Sequence, residues 1–148
     1  MAAPVVVLFA AALSFGPSGW QSPAPSSKDE TATQCYQRFR AAAQSATSMG
    51  DITPFWSAEL LHDFSLMPDA DKASTLDMIK RTESRMTDVQ VVKETPTANG
   101  VRLSLEGIGA GGKPMTGTVD LVKEQGSWKL VEAEQWTPKS AGPQSSQR

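Results

Sequence analysis

Few residues in this chain could move a proton. The 148 residues include one histidine, His62, and one tyrosine, Tyr36. General acid–base work needs a group within hydrogen-bond reach of the proton and titrating near working pH, which favours histidine. His62 is followed by Asp63, but neighbours on a helix point about 100° apart and form no facing dyad. With Trp56, Leu60 and Phe64 marking the buried side, His62 falls on the solvent flank, where a surface histidine is the default. Tyr36 falls on an apolar stripe and reads first as a core aromatic with its hydroxyl at the edge. Aimed into a cavity, that hydroxyl would be an oxyanion-type donor. Glu132 and Glu134 share the parity of Trp128 along a strand. In an apolar hollow a carboxylate titrates upward and can serve as a base; on an open face it is a solvated charge. The catalytic candidates are therefore Tyr36, Glu132, Glu134 and His62. Tyr36 also joins the large, amphipathic rings of Trp128 and Trp136 as a candidate ligand contact.

Other chemistries lack their residues. One histidine, one cysteine and scattered carboxylates make no zinc cluster and no calcium loop, so no metal is expected. The run Gly107-Ile108-Gly109-Ala110-Gly111-Gly112 resembles a phosphate loop but lacks the Gly-Lys-Ser/Thr ending and leads into a strand. It reads as a strand connection, and no cofactor is expected. No Gly-x-Ser-x-Gly nucleophile motif occurs. Cys35, the only cysteine, cannot form an internal disulfide and reads as a small apolar residue on a helix face. Fourteen basic residues against sixteen acidic ones, evenly mixed, give no basic stripe for nucleic acid.

The elements that would position these residues divide the chain in two. Ala32, Cys35, Tyr36, Phe39, Ala42, Ala43 and Ala46 recur at a spacing of three and four, which predicts a helix from a cap at Asp29 or Thr31 to about Met49, closed by Gly50. Thr53-Pro54 reads as the start of a short second helix, rich in large apolar residues and ending at Met67-Pro68. A third helix over about Ala70–Arg85 buries Ala70, Ala73, Leu76, Ile79 and Met86, with acidic residues in its first turn. From Thr87 the period becomes two. Val89–Lys93, Val101–Ile108, Thr116–Lys123 and Trp128–Trp136 are strand candidates joined by short turns, including Asn99-Gly100 and a Glu-Gln-Gly-Ser turn centred on Gly126. In the last strand the apolar residues change parity near Val131. Either a bulge sits there or both faces are partly covered.

Helices followed by an antiparallel meander predict an α+β domain, with helices on one face of the sheet and the other face left to water or a partner. The element order, the length of the folded part and the closing pattern G-x-V-x-L-V-K-E-x-G-x-W-K-L-V, Gly117 to Val131, resemble the nuclear transport factor 2-like superfamily (the cystatin-like α+β cone), and within it small exported bacterial domains. The resemblance spans Lys28 to Pro138. It implies N-terminal helices packed on a curved four-stranded antiparallel sheet, a cone-like roll with a cavity. It implies no single activity, because the superfamily holds enzymes, transport adaptors and assembly modules; its enzymes use an Asp, His or Tyr projecting into the cone.

The first 27 residues carry no charge, and Val5–Leu13 is a compact apolar run. The apolar length from Ala2 to Phe15 is fourteen residues, short of the roughly 20 that span a membrane. Residues 1–27 therefore read as a signal peptide and Pro/Ser-rich tether, though the basic residue that usually opens such a signal is missing. Residues 28–138 form the domain and 139–148 a polar, disordered tail. The expectation is an exported, periplasmic or secreted, non-catalytic domain that binds a small apolar molecule or a protein partner, with no stable membrane span in the mature chain. The alternatives are an acid–base enzyme of the isomerase or dehydratase kind, using Tyr36 with Glu132 or Glu134, and a structural module forming a homodimer through the open sheet face.

Overall fold

The computed structural model describes residues 29–140. The expected signal segment, and the tail beyond Ser140, lie outside the described residues. Helix α1 spans Ala32–Ser45. Of the two caps the sequence offered, Thr31 is used: its side chain accepts from Gln34 N at 3.1 Å, and Gln34 Oε1 accepts from Thr31 N at 2.9 Å. The helix ends earlier than its apolar stripe suggested. Ala46 leaves helical geometry, and Gly50 falls in a tight turn, Met49–Asp51, rather than in a left-handed cap.

A second turn, Thr53–Phe55, leads to α2, Ala58–Leu66. The expected start at Thr53-Pro54 makes only this turn, and the helix is capped by Ser57, whose hydroxyl accepts from Leu60 N at 3.2 Å. Ser57 could take that place because two partners from the sheet hold the entry. Its own N–H donates to Leu130 O at 2.8 Å, and the Glu124 carboxylate accepts from Ala58 N at 3.1 Å. Helix α3 spans Asp69–Arg85. Its inward face is Thr75, Leu76, Ile79 and Glu83, whereas Ala70 and Ala73 are exposed.

The sheet holds β1 (Thr87–Pro96), β2 (Gly100–Ile108), β3 (Pro114–Glu124), β4 (Ser127–Leu130) and β5 (Gln135–Pro138). All pairings are antiparallel, in the order β1-β2-β3, and β4 and β5 follow one another along the far edge of β3. The sheet is not closed into a barrel: β1 forms its other edge. The β3–β4 turn has positive φ at both central residues, Gln125 at 49° and Gly126 at 82°. That is the geometry whose twist matches the flanking strands.

Alternation sorts the two faces. Leu103, Leu105, Val119, Leu121 and Leu130 are buried inward against Ala32, Cys35, Tyr36, Phe39 and Ala43 of α1. Phe39 meets Phe55 edge-on at 5.8 Å, and Trp56 meets Phe64 at 5.4 Å. The outer face is polar. Arg102 and Asp120 stand directly opposite and form a two-bond ion pair at 2.7 and 2.8 Å, and Lys139 pairs with Glu106 at 2.9 Å. Lys139 N also donates to Pro114 O at 2.9 Å. No helix among the described residues is long and apolar enough to cross a membrane.

The expected single strand Trp128–Trp136 is broken. Leu130 pairs with Leu121 and Gln135 with Thr118, so Val131–Glu134, four residues, stand opposite two, Val119 and Asp120. Of the two explanations for the parity change, this is the bulge. Val131 N still reaches Asp120 O at 3.1 Å.

Candidate functional site

Between α2, α3, the middle of α1 and the broken edge of the sheet lies a cavity of about 350 Å³. That is within the range of small-molecule sites, about 300–1,000 Å³. Phe39, Trp56, Leu60, Phe64, Ile79 and Leu130 supply most of its wall. Met67 and Met78 stand at its mouth, 40% and 58% exposed. A broader hollow of about 740 Å³, beside Arg40, Lys80 and Arg81, is more open to solvent.

Two lining carboxylates, Glu83 and Glu134, form a cluster with Arg40, Tyr36 and Trp136, which stand behind the lining. Glu83 projects from α3 and is 3% exposed. Arg40 of α1 holds it, with Nε to Oε2 at 2.7 Å, and also donates to Met86 O at 3.2 Å. Glu134 comes from the bulge. Its Oε2 accepts from Trp136 Nε1 at 2.6 Å, and its Oε1 is buried with no hydrogen-bond partner. Trp136 in turn lies over Gly117, where a Cβ would sit 2.7 Å from the ring. Tyr36, 1% exposed, has a buried hydroxyl that also forms no hydrogen bond. The phenol lies within electrostatic reach of Glu134, although the two stop short of a formed bond.

Glu134 acts on both of its neighbours. Burial, then the charge of Glu134, pushes the Glu83 carboxyl up to about 7, against the pull of the Arg40 hydrogen bond and charge. Burial pushes the Tyr36 phenol upward as well, with the charge of Glu134 as the next cause. Beside the Glu134 charge in apolar surroundings, Glu83 keeps its proton to a higher pH than a free carboxyl does.

The sequence candidates are thus separated. Tyr36 and Glu134 are brought together. Trp136 is half-buried and fixes Glu134. Glu132 leaves the sheet and is exposed at the cavity mouth, and His62 is exposed on α2. Trp128 packs beside Cys35, whose thiol donates to Trp128 O at 3.3 Å and is pushed by burial up to about 11. Trp128 does not line the cavity. Glu83 and Arg40 were missed. A signal was there: Glu83 stands seven residues after Leu76 and four after Ile79, on the apolar stripe of α3. A carboxylate at a core position needs a partner, and Arg40, one turn after Tyr36, is that partner. Among the described residues, no group of three His, Cys, Asp or Glu side chains could hold a metal ion.

No family model and no curated protein matches the sequence. Among solved structures, the chain is similar to a Campylobacter jejuni protein described as an NTF2-like transpeptidase, with a TM-score of 0.42 and 12% identity, over 66% of this chain and 94% of that one. The α+β layout is given by the helices and strands above.

Proposed function

We propose that the domain is a binding protein for a small, mainly apolar molecule, held between α2, α3 and the broken edge of the sheet without being transformed. The observation that carries this reading is the 350 Å³ cavity walled mainly by aromatic and aliphatic side chains, with Glu83 and Glu134 among its polar lining groups. Apolar walls with a few placed polar groups are the usual build of such a site. A titration with the neutral dye N-phenyl-1-naphthylamine tests it. Saturable fluorescence enhancement, one dye per chain, and a raised melting temperature are expected. No saturable binding and no thermal shift with neutral apolar probes would end the proposal.

A second reading, an acid–base enzyme, has one observation in its favour. Glu83, raised to about 7, shares a buried cluster with Glu134 and Tyr36, and a carboxyl tuned near neutrality suits a general acid or base. Incubation with an α,β-unsaturated ketone and its deconjugated isomer separates the two readings: turnover abolished in Glu134→Gln supports the enzyme, and binding without turnover supports the carrier. We also propose export, which rests on the uncharged, apolar character of residues 1–27. A shortened chain in the periplasmic or secreted fraction is expected, and a full-length cytosolic chain would refute it.

A further inference from the structure

We infer that the cavity takes a cationic amphiphile, a small molecule with an apolar body between α2 and α3 and a protonated amine set against Glu134 and Glu83. This deepens the binding reading above and depends on it.

Charge is the first ground. The charged side chains lining the cavity are Asp63, Glu83, Glu132 and Glu134, all acidic, and no basic side chain is among the lining residues. The chain as a whole has nearly balanced charge, fourteen basic and sixteen acidic residues, so this bias is local. Arg40 stands behind Glu83 and compensates one carboxylate of the facing pair, not both. An ammonium group would supply the missing charge, and an anionic ligand would meet four carboxylates.

Unfilled hydrogen-bonding capacity is the second ground. Glu134 Oε2 is engaged by Trp136, but Oε1 is buried without a partner, and so is the Tyr36 hydroxyl beside it. Even if the phenol turns to donate to Oε1, a carboxylate oxygen has two acceptor sites. An ammonium carries three donors and no acceptor, which suits two carboxylates facing each other. The third ground is the wall. Phe39, Trp56 and Phe64 line it, and aromatic rings hold an apolar chain and attract a cation.

The same arrangement makes amine and proton competitors. The groups facing Glu83 are Arg40 and Tyr36 from α1 and Glu134 from the bulge, with Trp136 Nε1 donating from β5. Asp63 on α2 and Glu132 at the mouth add negative charge further out. Displacing the proton held by the pair, which Glu83 takes up near pH 7, gives amine binding a pH dependence that a neutral ligand lacks.

Calorimetric titration of the folded chain with n-octylamine, n-octanol and n-octanoate, equal in body and different in head, tests this. At about pH 8 the amine is expected to bind about tenfold or more tighter than the alcohol, the gain of a hydrogen bond to a charged group, and the octanoate weakest. The preference should fall by about pH 5.5, with proton release on amine binding seen as a dependence of the heat on buffer ionisation. Glu134→Gln should remove most of the amine's advantage and leave octanol binding in place. Alcohol and amine binding equally, or octanoate binding tightest, overturns the cation inference and leaves the binding reading standing. If none of the three binds, both fall. Should Glu134→Gln not fold, the wild-type series decides alone.

Discussion

The cluster at the cavity floor makes a demand on stability that can be measured without a ligand. Glu83 carries its carboxyl up to about 7 in the folded chain, from an ordinary value of 4.5, chiefly by burial and then by the charge of Glu134. The native state therefore holds a proton that the unfolded state releases. Its contribution to stability is fully present below the unfolded value and is lost as pH rises through about 7. A rise from 4.5 to about 7 corresponds to roughly 3 kcal/mol at 1.36 kcal/mol per pH unit. With a urea slope of about 1–3 kcal/mol per molar, the midpoint should drop by about 1–3 M between pH 5 and pH 8. Glu83→Gln keeps the shape and removes the titration, so its midpoints should be nearly level over that range. At pH 5, where the wild-type Glu83 is protonated and neutral, the two should be close in stability, and near pH 8 the variant should be the more stable. His62→Gln serves as a control for the only histidine, which is exposed. Wild-type stability that is level from pH 5 to pH 8, or a slope that survives in Glu83→Gln, would refute the placement of Glu83 against Glu134.

Three further substitutions test the scaffold. Ser57→Ala removes the buried N-cap of α2 and should cost about 1 kcal/mol in urea unfolding; no loss would mean that Glu124 alone holds the helix entry. Gln125→Asn, at a residue with φ of 49°, should stabilise by about 0.5–1 kcal/mol, because asparagine tolerates the left-handed region that this turn requires. Gly117→Ala sets a Cβ 2.7 Å from the Trp136 ring. It should destabilise by about 1–3 kcal/mol, shift tryptophan emission and weaken the pH dependence by loosening Glu134; an unchanged spectrum would detach Trp136 from the site.

What was legible in the sequence was what has a short period. The stripe from Ala32 to Ala46 and the alternation of Leu103 and Leu105 each repeat within one element, so local reading finds the element and its inner face. Gly126 marks its turn because two-residue hairpins need positive φ. Where a partner far along the chain decides, local reading fails. Thr53-Pro54 carries the better local start signal, yet Ser57 caps α2 because Leu130 and Glu124, from the sheet, bind the backbone there. Gly50 looked like a left-handed cap, but α1 stops at Ser45. Beyond it, Asp51 accepts from the N–H groups of Thr47 and Ser48 at 3.0 and 3.2 Å, fixing a turn before Gly50 is reached. Glu83 sat on the apolar stripe of α3 in plain view. Its role depends on Arg40, 43 residues earlier, and on Glu134, 51 residues later by number (134 − 83).

The bulge explains why two glutamates two residues apart have opposite fates. Four residues opposite two is an insertion of two, an even number, so the period-two alternation resumes in phase. Leu130, paired with Leu121, and Trp136, paired with Gly117, consequently face the same side. An insertion of one would have turned Trp136 outward and left Glu134 without its indole donor. The two added residues instead lift Glu132 and Ala133 off the ladder, carrying Glu132 out to the cavity mouth, while Glu134 stays beside Trp136 within reach of Tyr36 and Glu83. A continuous strand would hold Glu132 and Glu134 inward together, next to Glu83, and three carboxylates against one arginine would be hard to bury. The bulge removes one of them to solvent. What remains at the floor is a pair with a single compensating arginine, a net negative charge that a proton or a cation can satisfy.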